Sequence, residues 1–299
     1  MKVLATRVLP GPAWQELRDV VIGPLDEPRD DVEILVAANE SVDAATLDRF
    51  PAVKLVANFG VGYDKVDVTA CAARRIAVTN TPGVLDAATA DFAFALLLAT
   101  RRRLVEGDAL VRNGGWTTTW SLGPFLARDV SGATLGIVGL GRIGAAVARR
   151  ALAFDMRVLY TGRNRQNTAL AEYRTLDELL VESDCVSLHT PLTPQTEGLI
   201  DARRLALLRD GATLVNTARG AIVDEDALVR ELVSGRIAAG LDVFVHEPDV
   251  PRELLDLPNV VLAPHLGSAT AETRAAMTRI VVDNVLAFER GEPLLTPVQ

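Results

Sequence analysis

The hexapeptide Gly139-Leu140-Gly141-Arg142-Ile143-Gly144 has the spacing with which a main chain can hold a pyrophosphate. Gly139 permits a tight turn, Gly141 lets the backbone approach the phosphates, and Gly144 allows close helix packing, with the negative charge on N–H groups at a helix N-terminus. Such a motif gains meaning from context. Here a strand-like run, 134–138, precedes it and an Ala-rich helical pattern follows, so the residues predict dinucleotide binding. About 20 residues further on, an NAD site places a carboxylate that accepts hydrogen bonds from the adenosine ribose hydroxyls. This chain reads Tyr160-Thr161-Gly162-Arg163-Asn164-Arg165 instead. A neutral Thr161 removes repulsion toward a 2′-phosphate, and two guanidinium groups supply charge-assisted partners for it. The loop therefore favours NADP(H), with NAD(H) as the second possibility; a solvated Arg-rich surface loop is the competing reading.

Further polar residues stand just after expected strand ends: His189-Thr190, Thr217-Ala218-Arg219, Asp242 and His265. In a doubly wound sheet the ligand crevice lies outside the carboxyl ends of the strands, so positions scattered in sequence converge there. Any one charged loop residue is most often a solvated charge; a crevice holding Arg219, Glu247 and His265 together is suited to acid–base chemistry. His246 reads as a bystander and His189 as a structural or cofactor-edge residue. Trp116 and Trp120 read either as packing residues or as part of a substrate pocket or subunit contact.

The elements that would position these residues alternate from end to end, short β-type runs with longer helical patterns, which is the rhythm of parallel sheets with crossover helices. One set of strands is expected near 2–5, 34–36, 55–57 and 77–79, a second at 134–138, 157–160, 185–188, 213–215, 238–241 and 260–262. A helical pattern at 86–104 and a Gly- and Trp-containing stretch at 113–123 connect them. Met277, Val281, Val285 and Phe288 have helical spacing before the stop signals Gly291 and Pro293, and periodicity does not decide whether this last helix caps the second sheet or crosses back to the first.

Composition narrows the function classes. The chain has 299 residues, 49 % of them hydrophobic, enough for two ordinary domains, and a net charge of −8 without a cationic block, which argues against a nucleic-acid partner. Arg101, Arg102 and Arg103 close an apolar helical run, where cations suit the helix C-terminus. Cys71 and Cys185 lack metal-ligand spacing and read as reduced core residues of a cytoplasmic protein. No metal site, export signal or membrane span is expected; the longest apolar run, 87–100, contains Asp91 and is shorter than the roughly 20 residues a bilayer requires.

The chain resembles the D-isomer-specific 2-hydroxyacid dehydrogenase family. The resemblance rests on the 139–144 hexapeptide, Asn216-Thr217-Ala218-Arg219-Gly220, Leu241-Asp242-Val243-Phe244 with Glu247-Pro248, Pro264-His265-Leu266-Gly267-Ser268-Ala269-Thr270, and in the first third Phe59-Gly60-Val61-Gly62-Tyr63-Asp64. Tyr160-Thr161-Gly162-Arg163 and Asn113-Gly114-Gly115-Trp116-Thr117 look most like its glyoxylate/hydroxypyruvate reductases. The family implies an α/β fold of two doubly wound parallel-sheet domains with an active-site cleft between them: a flavodoxin-like substrate domain, 1–97 plus 271–299, and a Rossmann cofactor domain, 98–270. It implies that the last helix crosses back, and that a small 2-keto acid is reduced to a D-2-hydroxy acid.

It also implies roles. Arg219 would bind the substrate carboxylate and polarise the carbonyl, and His265 would protonate the carbonyl oxygen as hydride reaches C2. Glu247 would favour the protonated imidazole and orient it. Val61 and Gly62 would hold the carboxylate through backbone amides, and Asp242 would accept a hydrogen bond from the nicotinamide carboxamide. Thr190, Thr217, Ala218, Arg219, His265 and Gly267 join the cofactor contacts. A homodimer is implied, with 113–123 as the subunit-crossing segment. Two alternatives stand beside this reading. Phosphite oxidation uses the same triad, whereas formate dehydrogenases of this type carry Gln where Glu247 stands. A non-catalytic dinucleotide sensor like the related corepressors would carry extended tails, and the chain stops at Gln299, soon after the last helix.

Overall fold

The computed structural model describes residues 1–117 and 125–298, so Trp120 and most of the 113–123 stretch lie outside the described residues. The chain forms two compact units, one made of Met1–Leu85 with Ser268–Gln299, the other of Asp86–Gly267.

The first unit is built on five parallel strands, β1 (Val3–Ala5), β2 (Val20–Ile22), β3 (Ile34–Ala37), β4 (Leu55–Asn58) and β5 (Ala77–Thr79), in the order β2-β1-β3-β4-β5. That is the flavodoxin-like order. β1, β3 and β4 are buried along their whole length, as expected of parallel strands covered on both faces. Short helices α1 (Ala44–Asp48) and α2 (Val68–Ala73) start at Asp43 and Asp67, whose carboxylates accept from Thr46 N–H and Ala70 N–H at 2.8 Å. The helix Ala271–Glu289 packs on β4 and on the 3-10 turn Pro12–Glu16. The approach is close: a Cβ on Gly11, at φ 102°, would lie 2.8 Å from Ala275 Cβ. The last helix thus belongs to the first unit.

The second unit is a seven-stranded parallel sheet of β6 (Thr134–Val138), β7 (Arg157–Thr161), β8 (Glu172–Tyr173), β9 (Cys185–Leu188), β10 (Thr213–Asn216), β11 (Ala238–Leu241) and β12 (Val260–Leu262), in the order β12-β11-β10-β9-β6-β7-β8. From β6 the chain winds first toward β8 and then, through β9, the other way, which is the Rossmann arrangement with one strand added. Sequence periodicity finds ten of these twelve strands. The two it misses, β2 and β8, are edge strands of two or three residues, too short to show a period.

The unit boundary falls after Leu85 and before Ser268, not at 97/98 and 270/271 as the sequence suggests. The cause is helix α3 (Asp86–Arg101), whose buried Ala90, Ala93, Phe94 and Leu97 join the core of the second sheet. A Cβ on Gly240 of β11 would lie 2.9 Å from Leu96 Cβ, so this helix sits directly on the strand. Arg101 is not merely a terminal cation: it is buried, and donates to the carbonyls of Asp129 at 2.5 Å and Asp184 at 3.2 Å.

Candidate active site

The glycine turn joins β6 to helix α5 (Arg142–Ala153) at the switch point between β6 and β9; the short helix α4 (Leu104–Arg112) precedes that strand. Gly139 adopts φ 98°, and a Cβ there would meet the His189 carbonyl at 2.8 Å. A Cβ on Gly144 would collide with the Gly139 carbonyl oxygen, while Gly141 faces open space. Gly141 is also the N-cap of α5 and brings no side chain to its N–H groups. An open, uncapped helix N-terminus beside a glycine that gives way to bulk fits a dinucleotide pyrophosphate, with Arg142, Ile143 and Gly144 supplying the first helical N–H groups.

The stretch after β7 is closed by a pin. Tyr160, itself buried, donates its hydroxyl to the Gln166 carbonyl at 3.1 Å and accepts from Gln166 N–H at 2.6 Å, and the Gln166 side-chain amide donates to the Leu140 carbonyl at 2.9 Å. Between these anchors Gly162, Arg163, Asn164 and Arg165 are exposed. The Arg165 guanidinium stands 5.8 Å from the Tyr173 ring centre.

His265 lies beyond β12 with φ 55°, a left-handed conformation that costs a non-glycine residue about 1–3 kcal/mol and persists only where its surroundings impose it. Asp242 imposes it. Its carbonyl accepts His265 N–H at 2.9 Å, and its carboxylate accepts Leu266 N–H at 2.6 Å and Gly267 N–H at 2.8 Å. Burial holds the Asp242 carboxyl above the usual carboxylate range, against the opposing pull of the two amide donors. Both oxygens thus serve the His265 loop, a task that the sequence alone did not assign to them. Glu247 Oε2 lies 2.8 Å from His265 Nδ1 while its Oε1 accepts Phe244 N–H at 3.2 Å.

Arg219 stands after β10. Asn216 holds that turn by donating to the Arg219 carbonyl at 2.8 Å and accepting Ala218 N–H at 3.0 Å, and the Arg219 guanidinium donates to the Ala218 carbonyl at 2.7 Å. The adjacent Thr217 hydroxyl is buried without a hydrogen-bond partner among the described residues. His189 and Thr190 follow β9 beside Gly139. Burial pushes the His189 imidazole down to about 4, so it is neutral at pH 7, and its Nε2 shares a hydrogen bond of 2.8 Å with Ser187 Oγ. His246 is exposed.

In the first unit Val61 and Gly62 belong to the turn after β4. Asn58 at the end of β4 and Asn80 just past β5 donate to the carbonyls of that turn. Both were missed from sequence, although each carries the signal used for the second sheet, a polar residue at a strand's carboxyl end.

A Rossmann sheet with an open glycine turn, and a carboxylate-oriented histidine and an arginine each following the carboxyl end of one of its strands, defines a nicotinamide-dependent oxidoreductase. The chain belongs to the D-isomer specific 2-hydroxyacid dehydrogenase family, whose NAD-binding-domain model matches residues 94–267. It is 50 % identical over 288 residues to the glyoxylate reductase of Pyrococcus furiosus, covering 93 % of this chain and 86 % of that protein. The glyoxylate reductase of Thermococcus gammatolerans is 49 % identical over the same shares. Among solved structures, a protein from Thermus thermophilus superposes with a TM-score of 0.93 at 45 % identity, each chain covered in full. The NADPH-dependent glyoxylate/hydroxypyruvate reductase of Sinorhizobium meliloti, in complex with NADP and malonate, superposes with a TM-score of 0.91 at 38 % identity over 99 % of this chain and 96 % of that one.

Proposed function

We propose that this protein reduces glyoxylate and hydroxypyruvate to the corresponding 2-hydroxy acids, with NADPH preferred over NADH. The observation that carries the reading is the Glu247–His265 contact. A carboxylate can only accept, so Nδ1 of the imidazole donates to Glu247 and Nε2 is the nitrogen left to serve substrate. When bound, the reduced nicotinamide supplies the hydride that reaches C2 of the keto acid. His265 Nε2 delivers the proton to the carbonyl oxygen, so that one hydride and one proton convert C=O to CH–OH. Arg219 binds the carboxylate and polarises the carbonyl, and the amides of Val61 and Gly62 hold the carboxylate.

The cofactor contacts in this reading are the main chain of Gly139, Gly141, Arg142, Ile143 and Gly144 for the pyrophosphate, and Gly162, Arg163, Asn164 and Arg165 for the adenosine end. Thr190, Thr217, Ala218, Asp242 and Gly267 serve the nicotinamide half. The NADPH preference is supported by the lack of a carboxylate at Thr161 and by exposed Arg163, which makes no hydrogen bond or ion pair among the described residues. A spectrophotometric panel of glyoxylate, hydroxypyruvate, pyruvate and bulkier 2-keto acids tests the substrate: the two small acids should give the highest kcat/KM, and preference for a bulkier one would overturn the assignment.

We infer a homodimer. It is supported by α4, which buries no residue and carries Leu104, Val105 and Val111 exposed, with Trp116 and Leu126 exposed nearby. Contiguous exposed apolar side chains of this kind mark interaction surfaces. A monomer mass by light scattering at micromolar concentration would refute it. A cytoplasmic location is supported by Cys71 and Cys185, which are buried free thiols.

A further inference from the structure

The turn after β4 has its carbonyls tied down on one side. Asn58 Nδ2 donates to the Gly60 carbonyl at 3.1 Å and the Gly62 carbonyl at 2.9 Å, and Asn80 Nδ2 donates to the Val61 carbonyl at 2.9 Å. Thr81 N–H adds a second bond to the Gly60 carbonyl, at 3.0 Å. In a trans peptide the C=O of one residue and the N–H of the next point in opposite directions. Pulling the carbonyls of Gly60, Val61 and Gly62 toward the two asparagines therefore turns the N–H groups of Val61, Gly62 and Tyr63 the other way. None of these three N–H groups donates to a described backbone group. Three successive unpaired amides aimed away from the protein's own acceptors form a concave donor surface for an anion.

The asparagines are themselves braced. Asn58 is 6 % exposed. Thr296 Oγ1 donates to the Asn80 carbonyl at 2.6 Å, and Asn80 N–H donates to the Thr296 carbonyl at 3.3 Å. Thr296 is fixed in turn by fully buried Asn284, which accepts Leu295 N–H at 2.9 Å and Thr296 N–H at 3.2 Å and donates to Thr296 Oγ1 at 2.9 Å. The carboxyl-terminal segment thus sets where Asn80 stands.

We propose that Asn58 and Asn80 are positioning residues for substrate: by holding the carbonyls of Gly60, Val61 and Gly62 they present the amides of Val61, Gly62 and Tyr63 to the substrate carboxylate, Tyr63 being a third donor. This rests on the reading that the Val61–Gly62 turn binds that carboxylate. Neither asparagine touches the reacting atoms, so their replacement acts on affinity for the carboxylate and not on the proton or hydride.

The test uses Asn80→Asp and Asn58→Asp, which keep the side-chain shape but set an oxygen against a carbonyl oxygen and drive the peptide to rotate. Should either not fold, Asn80→Ser or Asn58→Ser, too short to reach the carbonyl, takes its place. Each variant should raise KM for glyoxylate about tenfold or more, the equivalent of one charge-assisted hydrogen bond. kcat/KM for methyl glyoxylate, which lacks the carboxylate, and Kd for NADPH should stay at the wild-type value. A purely structural role would move all three together and overturns the proposal. Backbone amide NMR with oxalate as the probe separates the two levels of the argument. If oxalate leaves the Val61 and Gly62 amides of the wild type unmoved, the underlying reading fails and the proposal with it. If it moves them in the wild type and equally in Asn80→Asp, with KM unchanged, the reading stands and the positioning role fails.

Discussion

Glu247 Oε2 and His265 Nδ1 lie 2.8 Å apart, and the backbone of His265 is held in a left-handed conformation to make that contact. The geometry leaves one imidazole nitrogen committed to the protein and one available. His265→Ala should therefore lower kcat by about 10² to 10⁴, the usual loss for a general acid. Stopped-flow or steady-state rates of NADPH oxidation check this, and near-wild-type turnover would end the proposed proton transfer.

Arg219 is expected to act on binding and on the barrier together. Arg219→Ala should raise KM for the keto acid and depress kcat, because in the proposed mechanism the same guanidinium holds the carboxylate and polarises the carbonyl. An unchanged KM would remove it from substrate binding.

Asp242 accepts two backbone N–H groups with a carboxylate that is 1 % exposed. Asn at this position turns an NH2 toward one of them, leaving a buried donor unpaired at a cost of about 1–3 kcal/mol. Asp242→Asn should lower both the melting temperature and kcat, since the loop it anchors carries His265. Wild-type kcat in a destabilised Asp242→Asn would show that the latch supports folding alone.

The NADPH-to-NADH ratio of kcat/KM should fall about tenfold in Arg163→Ala, the equivalent of one charge-assisted hydrogen bond, and less in Arg165→Ala, whose guanidinium already lies over Tyr173. Added salt should compress the wild-type ratio, because the loop is exposed and its charges are screened. Equal constants for the two cofactors in the wild type, or a ratio unaffected by Arg163→Ala, would mean that this loop does not read the phosphate.

His189 gives a pH signature. Burial lowers its folded value from 6.5 to about 4, so between these limits the unfolded chain binds the extra proton and stability falls as pH drops through the window. Above 6.5 both states are neutral at this residue and the contribution is complete. Denaturant unfolding from pH 7 to pH 4 should show a shallower decline in His189→Gln than in wild type, and parallel curves would mean that the ring is hydrated.

Much of this protein is determined locally and is therefore legible in its sequence. The turn at Gly139, with φ 98°, and the crossing of Gly144 over the Gly139 carbonyl are set within the same six residues, and Gly141 faces open space. Parallel strands buried on both faces, such as Ile34–Ala37, read as continuous apolar runs, and Asp43, Asp67 and Asp224 announce helix starts through their own side chains. The Arg219, Glu247 and His265 positions follow from strand ends and motif resemblance. Tertiary structure decided what depends on partners far away in the chain. Only packing assigns Asp86–Arg101 to the second sheet, because an amphipathic helix shows that it has a buried face and not which core receives it. The last helix poses the same question, and the contact of Ala275 with Gly11 answers it. Asn80 carries no spacing signal relative to Val61, since a side-chain amide that meets a carbonyl 19 residues away does so only once two strands lie side by side. Asp242 in sequence is one more loop carboxylate; its task of holding Leu266 and Gly267, 24 and 25 residues on, exists only when β11 and β12 pair and bring their ends together.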